Sequence, residues 1–157
     1  MDGREEIMIH EQLGQDLWDT EVDQGQIEQM LLNIYVNAWQ AMPSGGHLYV
    51  ETRNCELDEG YVKFHAAVPG KYVKVSITDT GLGMDDKTKE RIFEPFFTTR
   101  DMGRGTGLGL ASVYGIVKGH NGIVNVYSER GKGTTFNIYL PATEKKDERK
   151  LKTVVIP

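Results

Sequence analysis

The chain has 157 residues, 39% of them hydrophobic and 26% charged, which fits one soluble globular domain with or without a tail and suffices to bury a core without disulfide staples. Its 18 basic and 23 acidic residues leave a net charge of −5, so a broad basic surface gripping nucleic acid is excluded. No apolar run approaches the ~18 residues of a membrane span, no signal-peptide pattern opens the chain, and the single Cys55 leaves neither an internal disulfide nor a multi-cysteine metal site; a reducing, cytoplasmic setting is the expectation.

In chain order, Glu5 to His10 and Asp16 to Val22 read as short extended segments around a turn at Leu13-Gly14-Gln15. Asp23 suits the N-cap of a helix from Gln24 to Met42, within which Ile27, Met30, Leu31, Ile34, Ala38 and Ala41 recur at three- and four-residue steps. Pro43-Ser44-Gly45-Gly46 ends it. His47 to Glu56 and Tyr72 to Asp79 alternate as strands, with residues 57–71 as a long hairpin connection turning at Val68-Pro69-Gly70. Asp85 to Phe93 reads as a short helix stopped before Pro95, Gly103 to Gly109 as loop, and Leu110 to Lys118 as helix. Ile123 to Ser128 and Thr134 to Leu140 form a closing hairpin through Arg130-Gly131-Lys132-Gly133. The expected fold is an α+β two-layer sandwich, a mixed and mostly antiparallel sheet covered on one face by helices. The folded domain is expected over residues 1–141, with 142–157 a charged tail or linker.

Glycine carries the first hint of function. Eighteen glycines are about 11% of the chain, and eleven of them fall between Gly81 and Gly133; glycine costs backbone entropy, so the cluster needs a reason. Loops in an ordinary α/β fold are one, and backbone approaching a ligand is the other.

Three constellations bear chemistry. Asn33 and Asn37 sit at i and i+4, stacked on one helix face beside the apolar stripe; a carboxamide oxygen suits Mg²⁺ when phosphates and waters complete the shell, although solvent-facing asparagines are the plainer reading of the pair. Asp79-Thr80-Gly81-Leu82-Gly83-Met84 follows directly on a strand, so the carboxylate either caps the turn or offers acceptors to an adenine amine, where guanine would present acceptor to acceptor. Gly103-Arg104-Gly105-Thr106-Gly107-Leu108-Gly109-Leu110 has glycine at every second position and opens a helix, an anion site for phosphate. It is neither a Walker loop nor GxGxxG. An acidic protein holding a polyphosphate needs local positive charge, for which Arg100, Arg104 and the bound Mg²⁺ are the candidates.

Taken in order, these segments resemble the catalytic ATP-binding domain of sensor histidine kinases, of the superfamily shared with gyrase, heat-shock chaperones and mismatch-repair ATPases. NIYVNAWQAM resembles the N box, DTGLGM the first glycine box, FEPFFTT (Phe93 to Thr99) the phenylalanine box, GRGTGLGLA the second glycine box and GKGTTF the glycine-threonine close. The match covers about residue 7 to Pro141 and implies the Bergerat-type sandwich. The resemblance implies that Asn37 binds Mg²⁺, Asn33 supports the phosphates, and Asp79 receives the adenine amine with Gly81 and Gly83 permitting close approach. It makes residues 98–106, with Thr99, Arg100, Gly103, Arg104 and Thr106, a mobile lid. Gly105, Gly107, Leu108 and Gly109 would form its phosphate-facing hinge and helix start, and Thr134 would reach the adenine side through water. Gln40 stands where many relatives carry a basic residue, which shifts weight to Arg100 and Arg104.

Gyrase-like relatives place a glutamate one turn before the magnesium asparagine to activate water; that position here is Asn33, which takes no proton and favours transfer over hydrolysis. Of His10, His47, His65 and His120, only His10 precedes an acidic residue, Glu11, as an acceptor histidine does, but its strand-like setting near Gly14 marks it as a surface or structural side chain. The expectation is thus a protein-histidine kinase catalytic domain, without its acceptor, using ATP and Mg²⁺. Its partners would be a histidine phosphoacceptor and dimerisation domain of the same parent and a response-regulator receiver domain, with no nucleic acid and no membrane contact by this domain. An anti-sigma-type serine kinase and a non-catalytic ATP-gated interaction module are the alternatives. Phe93, Phe96 and Phe97 suit either docking on acceptor helices or packing under the lid.

Overall fold

A computed structural model describes residues 6–95, 97 and 109–143. Its strands are β1 (Ile7–Gln12), β2 (Asp19–Thr20), β3 (Gly46–Leu57), β4 (Gly70–Asp79), β5 (Ile123–Glu129) and β6 (Gly133–Thr143). Its helices are α1 (Gln24–Ala41), α2 (Glu59–Val62), α3 (Asp86–Arg91) and α4 (Gly109–Gly119). The six strands form one sheet in the order β1-β3-β4-β6, with β5 and then β2 paired end to end along the remaining edge of β6. Only β1 runs parallel to its neighbour; every other pairing is antiparallel.

Helix α1 forms where the apolar spacing expects it. Asp23 holds an extended backbone and its carboxylate accepts from the Gln26 amide at 3.0 Å, which satisfies one of the orphan donors of the first turn. Ile27, Met30, Leu31, Ile34 and Ala38 are buried on one face. They meet Leu48 and Val50 of β3, Val73, Val75 and Ile77 of β4, Phe136, Ile138 and Leu140 of β6, and Val113 and Val117 of α4 in a single core. Each of these larger aliphatic chains gains about 1.5–3 kcal/mol from leaving water. The strands alternate to match, so α1 and α4 form the second layer of the sandwich.

Three features go beyond the sequence expectation. Residues 57–71 form α2 and a short 3₁₀ turn, Lys63–His65, rather than a plain hairpin connection. Asp58 caps α2 through the Tyr61 amide at 2.9 Å, and Val62 packs with Tyr72, Ile123 and Tyr139 in a small cluster on the other sheet face. Second, β1 pairs in parallel with β3, while β2 joins β6 on the far side of the sheet. Third, β6 passes through Pro141 to Thr143; the proline falls between the last β5 partner, Tyr139, and the first β2 partner, Ala142, where that edge needs no donor.

Candidate functional site

The C-terminal end of β4 delivers Asp79 to the helix-facing side of the sheet, between β3 and the start of β6, where its pairs are Leu48 and Thr134. Its side chain is 2% exposed, and no ion pair to it occurs among the described residues. Burial pushes its carboxyl above the usual carboxylate range, an effect that hydrogen bonds from the Gly81 and Thr134 amides partly oppose. The Gly81 amide lies 2.8 Å from Oδ1. A buried carboxylate held by two amides and no cation retains acceptor capacity for a further donor.

The turn after Asp79 is clamped from both sides. The Leu82 amide donates to the Ala41 carbonyl at 2.9 Å, tying the turn to the C-terminus of α1, and the Gly131 amide donates to the Leu82 carbonyl at 2.7 Å, tying it to the β5–β6 hairpin. A Cβ on Gly81 would stand 2.3 Å from the Ala41 oxygen; Gly83 has φ +71° and a Cβ there would stand 2.0 Å from the Glu129 oxygen. The sequence expectation gave these glycines to ligand approach. The close approaches present are backbone on backbone, and they fix the turn that carries Asp79.

Ser128 is a member of the site that the sequence does not signal. Its hydroxyl accepts from the Met84 amide at 2.8 Å, donates to the Gly133 carbonyl at 3.0 Å and lies 2.8 Å from the Thr134 hydroxyl. Thr134 is buried, and its hydroxyl is engaged with Ser128 while its amide serves Asp79. Serine in a strand has no pattern of its own; only the pairing of Ser128 with Thr134 across the hairpin reveals it.

Along α1, Asn33, Asn37 and Ala41 repeat at four-residue steps, so they form one row about 12 Å long. Ala41 touches the Asp79 turn at one end. At the other, Asn33 donates its amide to the Gly109 carbonyl, the first residue of α4, at 3.2 Å, and accepts from Gln29 at 2.9 Å. Asn37, half-buried, lies between them. Among the described residues, Asp79, Gly81 and Gly83 share the turn tied to Ala41 and to the β5–β6 hairpin, Thr134 adjoins Asp79, and Asn33 meets Gly109 on the row that also holds Asn37. Thr99, Arg100, Gly103, Arg104, Gly105, Thr106, Gly107 and Leu108 lie outside the described residues. The phenylalanine segment packs inward at Phe93 and Phe97, both against the core, with the Phe93 ring 5.4 Å from Tyr114 and Arg91 stacked 4.5 Å over Phe97; Phe96 lies outside the described residues.

No three histidine, cysteine, aspartate or glutamate side chains gather into a metal site among the described residues. The donor set at hand, one half-buried carboxamide beside a helix start, fits a Mg²⁺ that takes most of its shell from phosphates and waters. No described helix is long and apolar enough to cross a membrane.

Comparison with known proteins agrees with the fold. Residues 22–144 match the family described as histidine kinase-, DNA gyrase B- and HSP90-like ATPase. The chain is 47% identical over 129 residues to the sensor kinase CckA of Brucella abortus, covering 82% of this chain and 14% of that protein. It is 38% identical over 136 residues to the sensor histidine kinase ZraS of Escherichia coli K12, covering 87% of this chain and 26% of that one. Full-length ShkA, solved in complex with AMPPNP, superposes with a TM-score of 0.68 at 30% identity, over 89% of this chain and 27% of that one. The chain thus spans about a seventh to a quarter of the length of these curated relatives.

Proposed function

We propose that this chain, which belongs to the histidine kinase-, DNA gyrase B- and HSP90-like ATPase family, is the ATP-binding catalytic domain of a sensor histidine kinase. It passes the γ-phosphate of ATP to a histidine on a separate phosphoacceptor and dimerisation domain of the same parent, which hands it to an aspartate of a response-regulator receiver domain.

Asp79 accepts from the exocyclic amine of adenine; its burial excludes water from that hydrogen bond and strengthens it. Guanine would set a carbonyl oxygen against the carboxylate. Asn37 holds Mg²⁺ through its carboxamide oxygen, and the ion when bound neutralises the charge that develops on the β- and γ-phosphates. Asn33 holds the start of α4, whose first amides serve the phosphates, and the glycine-rich segment Gly103 to Leu108 with Arg100 and Arg104 is assigned to the same phosphates on its sequence alone. In the transfer the lone pair of the acceptor's unprotonated ring nitrogen bonds to the γ-phosphorus, the bond from that phosphorus to its bridging oxygen breaks to leave ADP, and the proton on the other ring nitrogen passes to a base on the acceptor domain.

The observation that carries the kinase reading is the chemistry at position 33. An amide, engaged with Gln29 and Gly109, stands where a water-activating carboxylate would be needed, so the γ-phosphate is kept for an acceptor other than water. The test is to mix the chain with ATP and the acceptor domain of its parent and to examine the label on that domain. Acid-labile phosphate is expected. Acid-stable phosphoserine, or normal nucleotide binding with no label at all, would overturn the proposal, as would rapid ATP hydrolysis by the chain alone.

A further inference from the structure

At the β1–β3 edge, on the sheet face away from α1, lies a side-chain cluster that the nucleotide site does not use. Ile7 and Ile9 line an apolar groove against Tyr35, Ala38 and Trp39 of α1, so the alternating Met8 and His10 stand on the opposite face. The parallel register sets Met8 beside His47 and His10 beside Tyr49. His10 reaches back along the strand until its Nε2 is 2.9 Å from Nδ1 of His47. Tyr49 backs the pair, its ring stacked 4.7 Å from that of His10 with 15° between the planes. Both imidazoles are exposed, and Met8 is 47% exposed.

A neutral N–H···N contact at such a surface contributes only about 0.5–1.5 kcal/mol, so little is lost when the two exposed rings turn to converge on a cation. Two imidazole nitrogens each ~2.0–2.1 Å from one metal lie ~2.9 Å apart when they subtend a right angle and ~3.3 Å apart at the tetrahedral angle. The observed 2.9 Å is an ordinary hydrogen-bond distance, and it lies close enough to both values that modest rotation of the two exposed rings brings both nitrogens onto one ion. A neutral imidazole keeps one ring proton, so moving it to the remote nitrogen of the donor ring frees both facing lone pairs with no net proton released. Met8 stands opposite His47 in the register and on the same face, and its thioether is the kind of weak donor that copper sites accept. His120, by contrast, spends both ring nitrogens within the protein, on the Asp23 amide and the Ile116 carbonyl.

We propose that Met8, His10 and His47 form a binding site for copper(II), with two imidazole nitrogens and one thioether as the donors. The site bridges the edge strand β1 to β3. It also adjoins the nucleotide turn, because the His47 amide donates to the Thr80 hydroxyl at 2.9 Å and the His47 carbonyl accepts from the Thr80 amide at 3.1 Å, one residue beyond Asp79.

The test is copper(II) chloride titrated into the tag-free chain carrying Cys55→Ser, which removes the thiol, with glycine as a competing ligand and electron paramagnetic resonance as readout. One equivalent is expected, with hyperfine coupling to two nitrogens. His10→Ala and His47→Ala each weaken binding at least tenfold, Met8→Leu weakens it severalfold, and His65→Ala leaves it unchanged, all with unaltered circular dichroism. Binding that survives either histidine substitution, more than one equivalent without nitrogen coupling, or indifference to Met8→Leu would overturn the three-ligand site.

Discussion

The carboxamide of Asn33 donates to the main-chain carbonyl of Gly109 across 3.2 Å, joining the polar row of α1 to the first residue of α4. This one contact joins two segments 76 positions apart. It sets the helix start that we assign to the phosphates by a side chain that cannot act as a base. Asn33→Ala is expected to weaken ATP binding about three- to tenfold, the worth of one neutral hydrogen bond. Asn33→Asp costs more, since a carboxylate oxygen then opposes the Gly109 carbonyl. Titration calorimetry with ATP on both variants checks the order.

Asp79→Asn keeps an oxygen for the Gly81 amide but turns an NH₂ group toward the adenine amine. ATP affinity is expected to fall at least about tenfold, the loss of a charge-assisted hydrogen bond, while the thermal midpoint of the ligand-free chain stays within a few degrees. The sign follows from the raised carboxyl of Asp79. A group whose folded pKa exceeds its unfolded one contributes stability below the unfolded value and loses that contribution as pH rises through the folded one. Above its folded pKa the ionised Asp79 therefore adds no stability through this linkage for the substitution to remove.

The same shift governs binding. Protonation of Asp79 removes the acceptor for adenine, so on acidification from about pH 7.5 ATP affinity declines at a higher pH than an ordinary carboxylate would dictate. A binding curve for Asp79→Asn that keeps the same acid limb would assign the titration to another group.

Gly83→Ala combines a left-handed φ of +71° with a Cβ 2.0 Å from the Glu129 oxygen. A loss of about 2–4 kcal/mol is expected from strain and overpacking, about 8–15 °C in the thermal midpoint for a domain of this size. Gly109→Ala is the control: nothing lies within 4 Å of its Cβ position, and alanine at a helical position gains up to about 1 kcal/mol. Thermal denaturation without nucleotide is expected to separate the two variants by at least about 8 °C.

Ser128→Ala strips the Met84 amide of its acceptor and the Gly133 carbonyl of a donor. A destabilisation of about 1–3 kcal/mol is expected, with weaker ATP binding because Thr134 loses the neighbour that holds its hydroxyl. Ser128→Thr retains the hydroxyl and recovers most of the binding, which a purely volumetric role would not permit.

Local patterns made much of this protein legible in advance. The three- and four-residue spacing from Ile27 to Ala41, the capping carboxylate of Asp23, the alternation of β3 and β4 and the glycine-bounded segments around Asp79 are each written within a few neighbouring residues, where side-chain period and turn chemistry act. Long-range partnership is not so written. The parallel seat of β1 on β3, the passage of β6 through Pro141, the clamping of Gly81 and Gly83 by Ala41 and Glu129, and the place of Ser128 beside Thr134 depend on which distant backbone arrives alongside. The sequence thus determined which residues could accept an adenine amine or a cation. The tertiary structure decided which of them share one wall, because burial and hydrogen-bond satisfaction are settled only when the sheet and α1 close on the common core.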